Sequence, residues 1–159
     1  MNTSAQFCIA SDVPLSEVIY APASGAIHPL ASCKAQLIAL GLLGPGICID
    51  MRSHKLLAPV DGYLIEVNCA MKQWRFKANN GSEILVHISH EQESICNKAK
   101  FTHINRTRVT KGEELAYFDL RQFQSMPMVA IIVANCPTSK NVLFSHQQVE
   151  AGDSLLFIS

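Results

Sequence analysis

Two short turn motifs, each present twice, constrain the fold of this chain more than any other feature of its sequence. Residues 21–27 read APASGAI and recur as APVDGYL at residues 58–64, while VTKGEEL at residues 109–115 recurs as VEAGDSL at residues 149–155. In the first motif, proline fixes φ near a strand start and glycine permits the turn. In the second, a glycine turn follows a β-branched residue and leads into an apolar strand. The two duplications predict two similar half-sandwiches packed around one core.

Short apolar segments separated by Gly, Pro, Asn and Asp continue from residue 17 to the end of the chain. This spacing is typical of an all-β sandwich or barrel, which is the predicted fold class. Helix is expected only as short helical turns, in residues 35–43 and 121–126. Residues 1–16 show no period and are expected to form a loose N-terminal leader before one domain over residues 17–159. The predicted strands are 18–20, 26–28, 47–51, 63–69, 73–77, 84–88, 114–119, 129–133 and 155–158.

Composition excludes several classes of partner. Among 159 residues, 13 basic and 13 acidic side chains cancel, so nothing favours nucleic acid or an anionic membrane as the main partner. Apolar residues make up 48% of the chain, which argues against disorder. No apolar run approaches the ~18 residues of a membrane span, so direct membrane insertion is not expected. Residues 1–11 do not resemble a signal peptide, and the six cysteines form no CxxC pair, which together predict reduced thiols in a cytosolic protein.

The segment over residues 71–89 predicts a β-hairpin that brings a cation and an imidazole together. Two alternating runs flank the turn sequence Asn79-Asn80-Gly81. A turn centred on its first two residues places Lys72 opposite His87, and one centred on its last two places Trp74 there. In both registers Lys72, Trp74 and His87 share one otherwise apolar face. Taken alone, His87 is most simply interpreted as a half-buried histidine bonded to a neighbour.

Several segments together resemble the glucose-type enzyme IIA family of the sugar phosphotransferase system. The resemblance runs from about Val18 to Phe157, and the order and spacing of its motifs make it fairly specific. It implies the duplicated hybrid β-sandwich of that family. The matching segments are a first strand and turn at 20–25, a glycine loop at 44–49, a central turn at 57–62, an active-site strand at 81–87 and a strand pair at 109–119.

The function that this resemblance implies is that of a cytosolic phosphocarrier. A ring nitrogen of His87 would accept the phosphoryl group from the phosphohistidine of the small carrier protein HPr. The group would then pass to the IIB/IIC domains of a membrane sugar permease. Neutral imidazole is a competent nucleophile near pH 7, and an apolar surround limits hydrolysis. Ile38, Trp74 and Leu85 are expected to form the apolar face on which HPr and regulated target proteins dock. No cofactor and no metal is implied.

The chain departs from the family at its active site. The family has a second histidine fifteen residues before the first, and Lys72 stands at that offset here. Lys72 can neutralise a phosphate as a point charge, but it cannot donate a single proton from a rigid ring. Phosphate acceptance by His87 is therefore expected to survive while onward transfer is impaired. His90 is a candidate to compensate, although three residues along a strand its side chain points to the opposite face from that of His87.

Two alternative functions stay open. One is a phosphotransfer-deficient regulatory or scaffold protein that keeps the IIA fold and binds partners through the same apolar face; activity with HPr discriminates between the two. The other is a zinc peptidase of the lysostaphin type, which shares the duplicated architecture. Those enzymes need HxxxD and HxH ligand pairs, and neither pattern occurs in the chain. The HxxH spacing of His87 and His90 splits the two rings across a strand, so no metal site is predicted.

Overall fold

A computed structural model describes residues 4–8, 17–68, 72–90, 99–101 and 106–159, and the structural statements below refer to these residues. They form fifteen strands, one four-residue α-helix and two short 3-10 turns, at Leu30–Ser32 and Leu120–Gln122. The elements in chain order are β1 (Gln6–Phe7), β2 (Glu17–Tyr20), β3 (Gly25–Pro29), α1 (Gln36–Ala39), β4 (Gly46–Asp50), β5 (Lys55–Leu57), β6 (Gly62–Asn68), β7 (Gln73–Ala78), β8 (Glu83–Ser89), β9 (Ala99–Phe101), β10 (Thr107–Val109), β11 (Glu114–Phe118), β12 (Met128–Ala134), β13 (Val142–Phe144), β14 (Gln148–Val149) and β15 (Ser154–Ile158).

The strands assemble into three sheets, and the largest carries the predicted hairpin. Its order is β10-β6-β7-β8-β12-β4-β3-β14, while the smaller sheets have the orders β1-β13-β15-β2 and β5-β11-β9. Each of the nine predicted strands is present within one residue at either end, apart from residue 69, which lies outside the described residues. The predicted all-β sandwich is confirmed. In the described residues, helix occurs only in the two regions where short helical turns were expected and in the turn at Leu30–Ser32.

Six strands were not predicted, and all of them are only two or three residues long. Alternation of apolar and polar side chains cannot be recognised over so short a run. One of them, β1, lies within the expected N-terminal leader, where it pairs in parallel with β13. The paired residues are Gln6 with Leu143 and Phe7 with Phe144. Part of that leader therefore extends the four-stranded sheet as an edge strand.

Hydrogen bonds between the repeated motifs show that the two halves are related by approximate twofold symmetry. The residue just before each copy of the first motif donates to the proline of the other copy, and each copy also accepts a bond from one copy of the second motif. The four bonds run from Tyr20 N to Pro59 O (2.8 Å), from Leu57 N to Pro22 O (2.8 Å), from Gly152 N to Ala21 O (2.8 Å) and from Gly112 N to Ala58 O (2.9 Å). The duplication predicted from the sequence is confirmed by this reciprocal pattern.

The main apolar core lies on one face of the large sheet, and strand alternation decides which side chains enter it. In β8, Ile84, Val86 and Ile88 are buried in this core, whereas Leu85 belongs to a separate cluster on the outer face. The segment 30–43, which contains α1, covers that outer face. Among the described helices, none has the length and apolar character that crossing a membrane would require.

Candidate functional site

His87 belongs to a row of side chains that crosses the outer face of the large sheet. It pairs with Gln73 of β7 on one side and with Ala130 of β12 on the other, and Ala130 pairs in turn with Cys48 of β4. Neighbouring strands are about 4.8 Å apart, so Cys48 lies roughly 10 Å from His87 along the row. The position of His87 is therefore fixed by hydrogen-bonded strands on both sides.

The imidazole ring of His87 is half-buried and has one nitrogen turned inward. Its Nδ1 atom is buried, although the residue as a whole is partly exposed. Because Nδ1 is buried, Nε2 is the remaining ring nitrogen to consider for contact with an incoming group.

A second apolar cluster packs against the outer face beside His87. It forms where segment 30–43 folds over strands β4, β8 and β12, the second of which carries His87. Two residues predicted to form the docking face, Ile38 and Leu85, belong to it and are almost fully buried. The buried members of the cluster are Leu30, Cys33, Ile38, Cys48, Leu85, Ala130 and Ile132.

The His87 ring opens into a cleft of about 850 Å³ whose charges are not balanced. Its described lining includes the cations Lys34, Lys72 and Arg75 but only one carboxylate, that of Glu83. Among the described lining residues, cations outnumber carboxylates by three to one, whereas the charges of the whole chain cancel. A negatively charged group is the natural occupant of such a site.

The hairpin register differs from both predicted registers. Both assumed a two-residue turn, whereas Ala78 N donates to the Ser82 carbonyl and leaves a three-residue loop. A loop with an odd number of residues shifts the pairing, so Gln73 lies opposite His87. The third loop residue, Gly81, has a φ of 94°, as three-residue hairpin loops require.

The same shift corrects the predicted role of Trp74. Trp74 was expected on the His87 face, as part of a docking surface, but it pairs with Val86 and points into the main core. It is only 2% exposed and packs edge-on against Phe118, with ring centroids 6.4 Å apart. A one-residue change of register moves every side chain to the opposite face, so Trp74 is a core residue and not a docking residue.

Lys72 lines the cleft from a position outside the regular alternation of β7. It lies just before β7 with a φ of 56°, in the left-handed region, so the alternation of β7 does not extend to it. Its carbonyl oxygen accepts a hydrogen bond of 3.0 Å from the backbone nitrogen of Ile88. Lys72 and His87 both line the cleft.

His90 is held at the far end of β8 by a different loop. Its Nε2 atom lies 2.8 Å from the carbonyl oxygen of Ser125, and its ring packs against Phe123 with centroids 5.1 Å apart. Because a carbonyl oxygen can only accept a hydrogen bond, Nε2 is the donor in this contact. His90 also borders the cleft, and its compensating role stays a prediction.

Sequence reasoning missed a group of thiols beside the cleft. The Sγ atom of Cys33 lies 3.1 Å from the Oγ atom of Ser89. A hydrogen bond with Cys48, supported by Ser89 and the backbone of Ala35, lowers the pKa of the Cys33 thiol to about 6, although burial opposes this shift. The bond to Cys33, together with burial, raises the pKa of the Cys48 thiol. The sequence holds no signal for this contact, since Cys33 and Ser89 are 56 residues apart.

The described cysteines agree with the expectation of reduced, mostly buried thiols. Cys8, Cys33, Cys48 and Cys136 are free, and all but Cys8 are buried. Cys69 and Cys96 lie outside the described residues. In the part of the chain that the structure describes, no group of three His, Cys, Asp or Glu side chains is arranged to hold a metal ion.

Fold and site together define a duplicated β-sandwich protein with a histidine at the mouth of an apolar, cation-lined cleft. Residues 17–142 match the family model of the EIIA 1 component of the phosphoenolpyruvate-dependent sugar phosphotransferase system. The chain belongs to this family and is an EIIA component of sugar phosphotransfer.

Individual relatives agree with the family match. The chain is 26% identical to the glucose-specific EIIA component of Bacillus cereus, over 79% of each protein. It is 30% identical to the beta-glucoside-specific EIIBCA component of Halalkalibacterium halodurans, over 88% of this chain and 23% of that longer protein. Its fold matches that of glucose permease IIA from Mycoplasma capricolum, with a TM-score of 0.76 at 23% identity, over 90% of this chain and 96% of that one.

Proposed function

We propose that this protein is a cytoplasmic phosphocarrier that accepts a phosphoryl group on Nε2 of His87 from phospho-HPr and passes it toward a sugar permease. One observation carries the proposal. The accessible edge of a half-buried histidine opens into a cleft with an apolar wall and an excess of cations. An apolar wall protects a labile phosphohistidine from water, and cations neutralise the phosphoryl charge.

The transfer step exchanges one phosphorus–nitrogen bond for another. The lone pair of His87 Nε2 attacks phosphorus, while the bond to the donor histidine breaks and returns its electron pair to the donor ring. The proton released by the new phosphohistidine replaces the one that the leaving imidazole takes up, so no atom or electron is left over. Such a step depends mostly on positioning and charge neutralisation.

Partner binding is assigned to the rim of the same cleft. Ile38 and Leu85 support the wall from within, while Leu37 and Leu42 of the same segment are exposed and line the cleft. This apolar rim would receive HPr and then the IIB domain of a separate permease polypeptide. The EIIBCA protein of Halalkalibacterium halodurans supports this second partner, because its name joins an EIIA unit to IIB and IIC units in one chain.

The second candidate function is a regulatory or scaffold protein that keeps the fold but has lost phosphotransfer. The observation that favours it is Lys72, which occupies the cleft position where the resemblance implies a histidine. An ammonium can neutralise phosphate but cannot act as a ring acid or base at neutral pH. The lysine would therefore impair transfer of the phosphoryl group to the permease more than its acceptance from phospho-HPr.

Intact-mass spectrometry after incubation with phosphoenolpyruvate, enzyme I and HPr of the same organism tests the proposal. The wild type should gain one acid-labile phosphoryl group, His87→Ala should gain none, and His146→Ala, which changes an exposed loop histidine, should behave as the wild type. No gain in the wild type would overturn the carrier function and leave the scaffold function.

Adding the permease IIB domain to the phosphorylated protein then measures onward transfer, which Lys72→His should accelerate about tenfold or more.

A further inference from the structure

We propose that Arg75 is a further catalytic residue, whose guanidinium group leaves two carboxylates to contact the phosphoryl group while it is being transferred to His87. This inference rests on the proposed function. It concerns a side chain to which neither the sequence motifs nor the family match gives a role. Arg75 lines the same cleft as His87 and Lys72.

The hairpin register places Arg75 between two alternative partners. Arg75 pairs directly with Leu85, so its two diagonal neighbours on β8 are Glu83 and His87. Diagonal neighbours on one face of a sheet are about 7–8 Å apart at Cα, within reach of a long side chain. Arg75 is directed toward Glu83, and rotation of its side chain would bring the guanidinium group toward the His87 edge of the cleft.

The present contacts of Arg75 hold it only weakly. Its Nη1 atom lies 3.7 Å from Glu66 and its Nη2 atom lies 3.9 Å from Glu83, both longer than the ~2.8 Å of a charge-assisted hydrogen bond. The Arg75 side chain is 47% exposed, so water screens both pairs. Releasing the guanidinium group from these carboxylates therefore costs little.

A phosphoryl group on His87 would compete well for this guanidinium group. It carries a charge of about −1.5 to −2 and three strong acceptor oxygens, against the single charge of each carboxylate. Two parallel N–H donors of a guanidinium group match two phosphoryl oxygens, which the ammonium group of Lys72 cannot do. Glu83 would keep a partner after the switch, because Asn135 Nδ2 donates to it at 3.2 Å.

Phosphorylation by phosphoramidate tests this role without any docking partner. The rate of His87 labelling, measured by intact mass, should fall about tenfold in Arg75→Gln and recover partly in Arg75→Lys. Lys77→Gln is the matched control. It removes a cation from the same face of the same strand, directly opposite Glu83, but Lys77 does not line the cleft. Its rate should stay within about twofold of the wild type.

Glu83→Gln distinguishes a switching guanidinium group from a merely structural one. Because this change weakens the resting contact of Arg75, it should raise the labelling rate about twofold to fivefold, and the gain should disappear in the double variant with Arg75→Gln. Equal rates in Arg75→Gln and the wild type, or no gain in Glu83→Gln, would overturn the inference. A wild type that phosphoramidate and phospho-HPr both fail to label would instead overturn the proposed function.

Discussion

Cys33 illustrates how hydrogen bonds can make a buried thiol unusually acidic. Hydrogen bonds from Cys48, Ser89 and the backbone of Ala35 stabilise its thiolate, and together they outweigh burial. Cys48, the main partner of Cys33, has its own pKa raised by the same contact. The thiol pair lies in the apolar cluster beside the His87 cleft.

The acidity of Cys33 predicts a thiolate titration well below that of an ordinary thiol. As pH rises, Cys33 should lose its proton near pH 6, so the ultraviolet thiolate absorbance of the wild type minus that of Cys33→Ser should rise through that pH. Ser89→Ala removes one hydrogen bond to the thiolate and should move the midpoint upward. A wild-type midpoint at the ordinary thiol value would show that the three hydrogen bonds do not stabilise the charge.

Among the structural elements, the long strands could be predicted from the sequence, whereas the register in which they pair could not. Strand β8 was predicted within one residue at either end, with Ile84, Val86 and Ile88 on its core face. Side chains that alternate over seven residues can be divided between the two faces of a strand in only one way. The face of Trp74 was wrong because hairpin register depends on a loop of three residues, which the letters Asn-Asn-Gly do not distinguish from a loop of two. Contacts of Cys33 with residues distant in sequence lie beyond any local pattern.

The close backbone approach at Gly62 predicts a larger stability cost on substitution than the open turn position of Gly81. A Cβ atom at Gly62 would lie 2.1 Å from the carbonyl oxygen of Lys77, whereas one at Gly81 would meet nothing within 4 Å. Both glycines have positive φ, so Gly81→Ala should cost about 1 kcal/mol of unfolding free energy from the backbone alone. Gly62→Ala should cost about 3 kcal/mol or more, because the backbone must also move.

Urea unfolding followed by fluorescence measures this difference. Trp74 is the only tryptophan and is buried in the main core, so its emission reports the loss of the whole fold. Equal costs for Gly62→Ala and Gly81→Ala would mean that strands β6 and β7 separate easily at this point. That result would contradict the close backbone approach between them.

On the scale of the whole molecule, the two apolar clusters are expected to differ in their stability against local opening. The main cluster is enclosed by the sheets, while the smaller one depends on segment 30–43 covering the outer face. The amides of Ile38, Ala39, Leu40 and Gly41 donate to carbonyls within that same segment. Such a unit can open without breaking a strand ladder, so local opening should precede global unfolding. Its position also means that opening would admit water to the wall beside His87.

Hydrogen exchange with Ile38→Ala tests this separation of the clusters. Ile38 is buried in the smaller cluster, so its truncation should cost about 2 kcal/mol and speed exchange of residues 36–44 tenfold or more, with β8 and β12 unchanged. The control Ile131→Ala removes a main-core side chain and should speed exchange in those strands as well. If His87 is phosphorylated, Ile38→Ala should also shorten the lifetime of the phosphohistidine, because opening of the segment exposes it to hydrolysis. Uniformly faster exchange in Ile38→Ala would contradict an independent opening unit and would make the wall of the cleft part of the global fold.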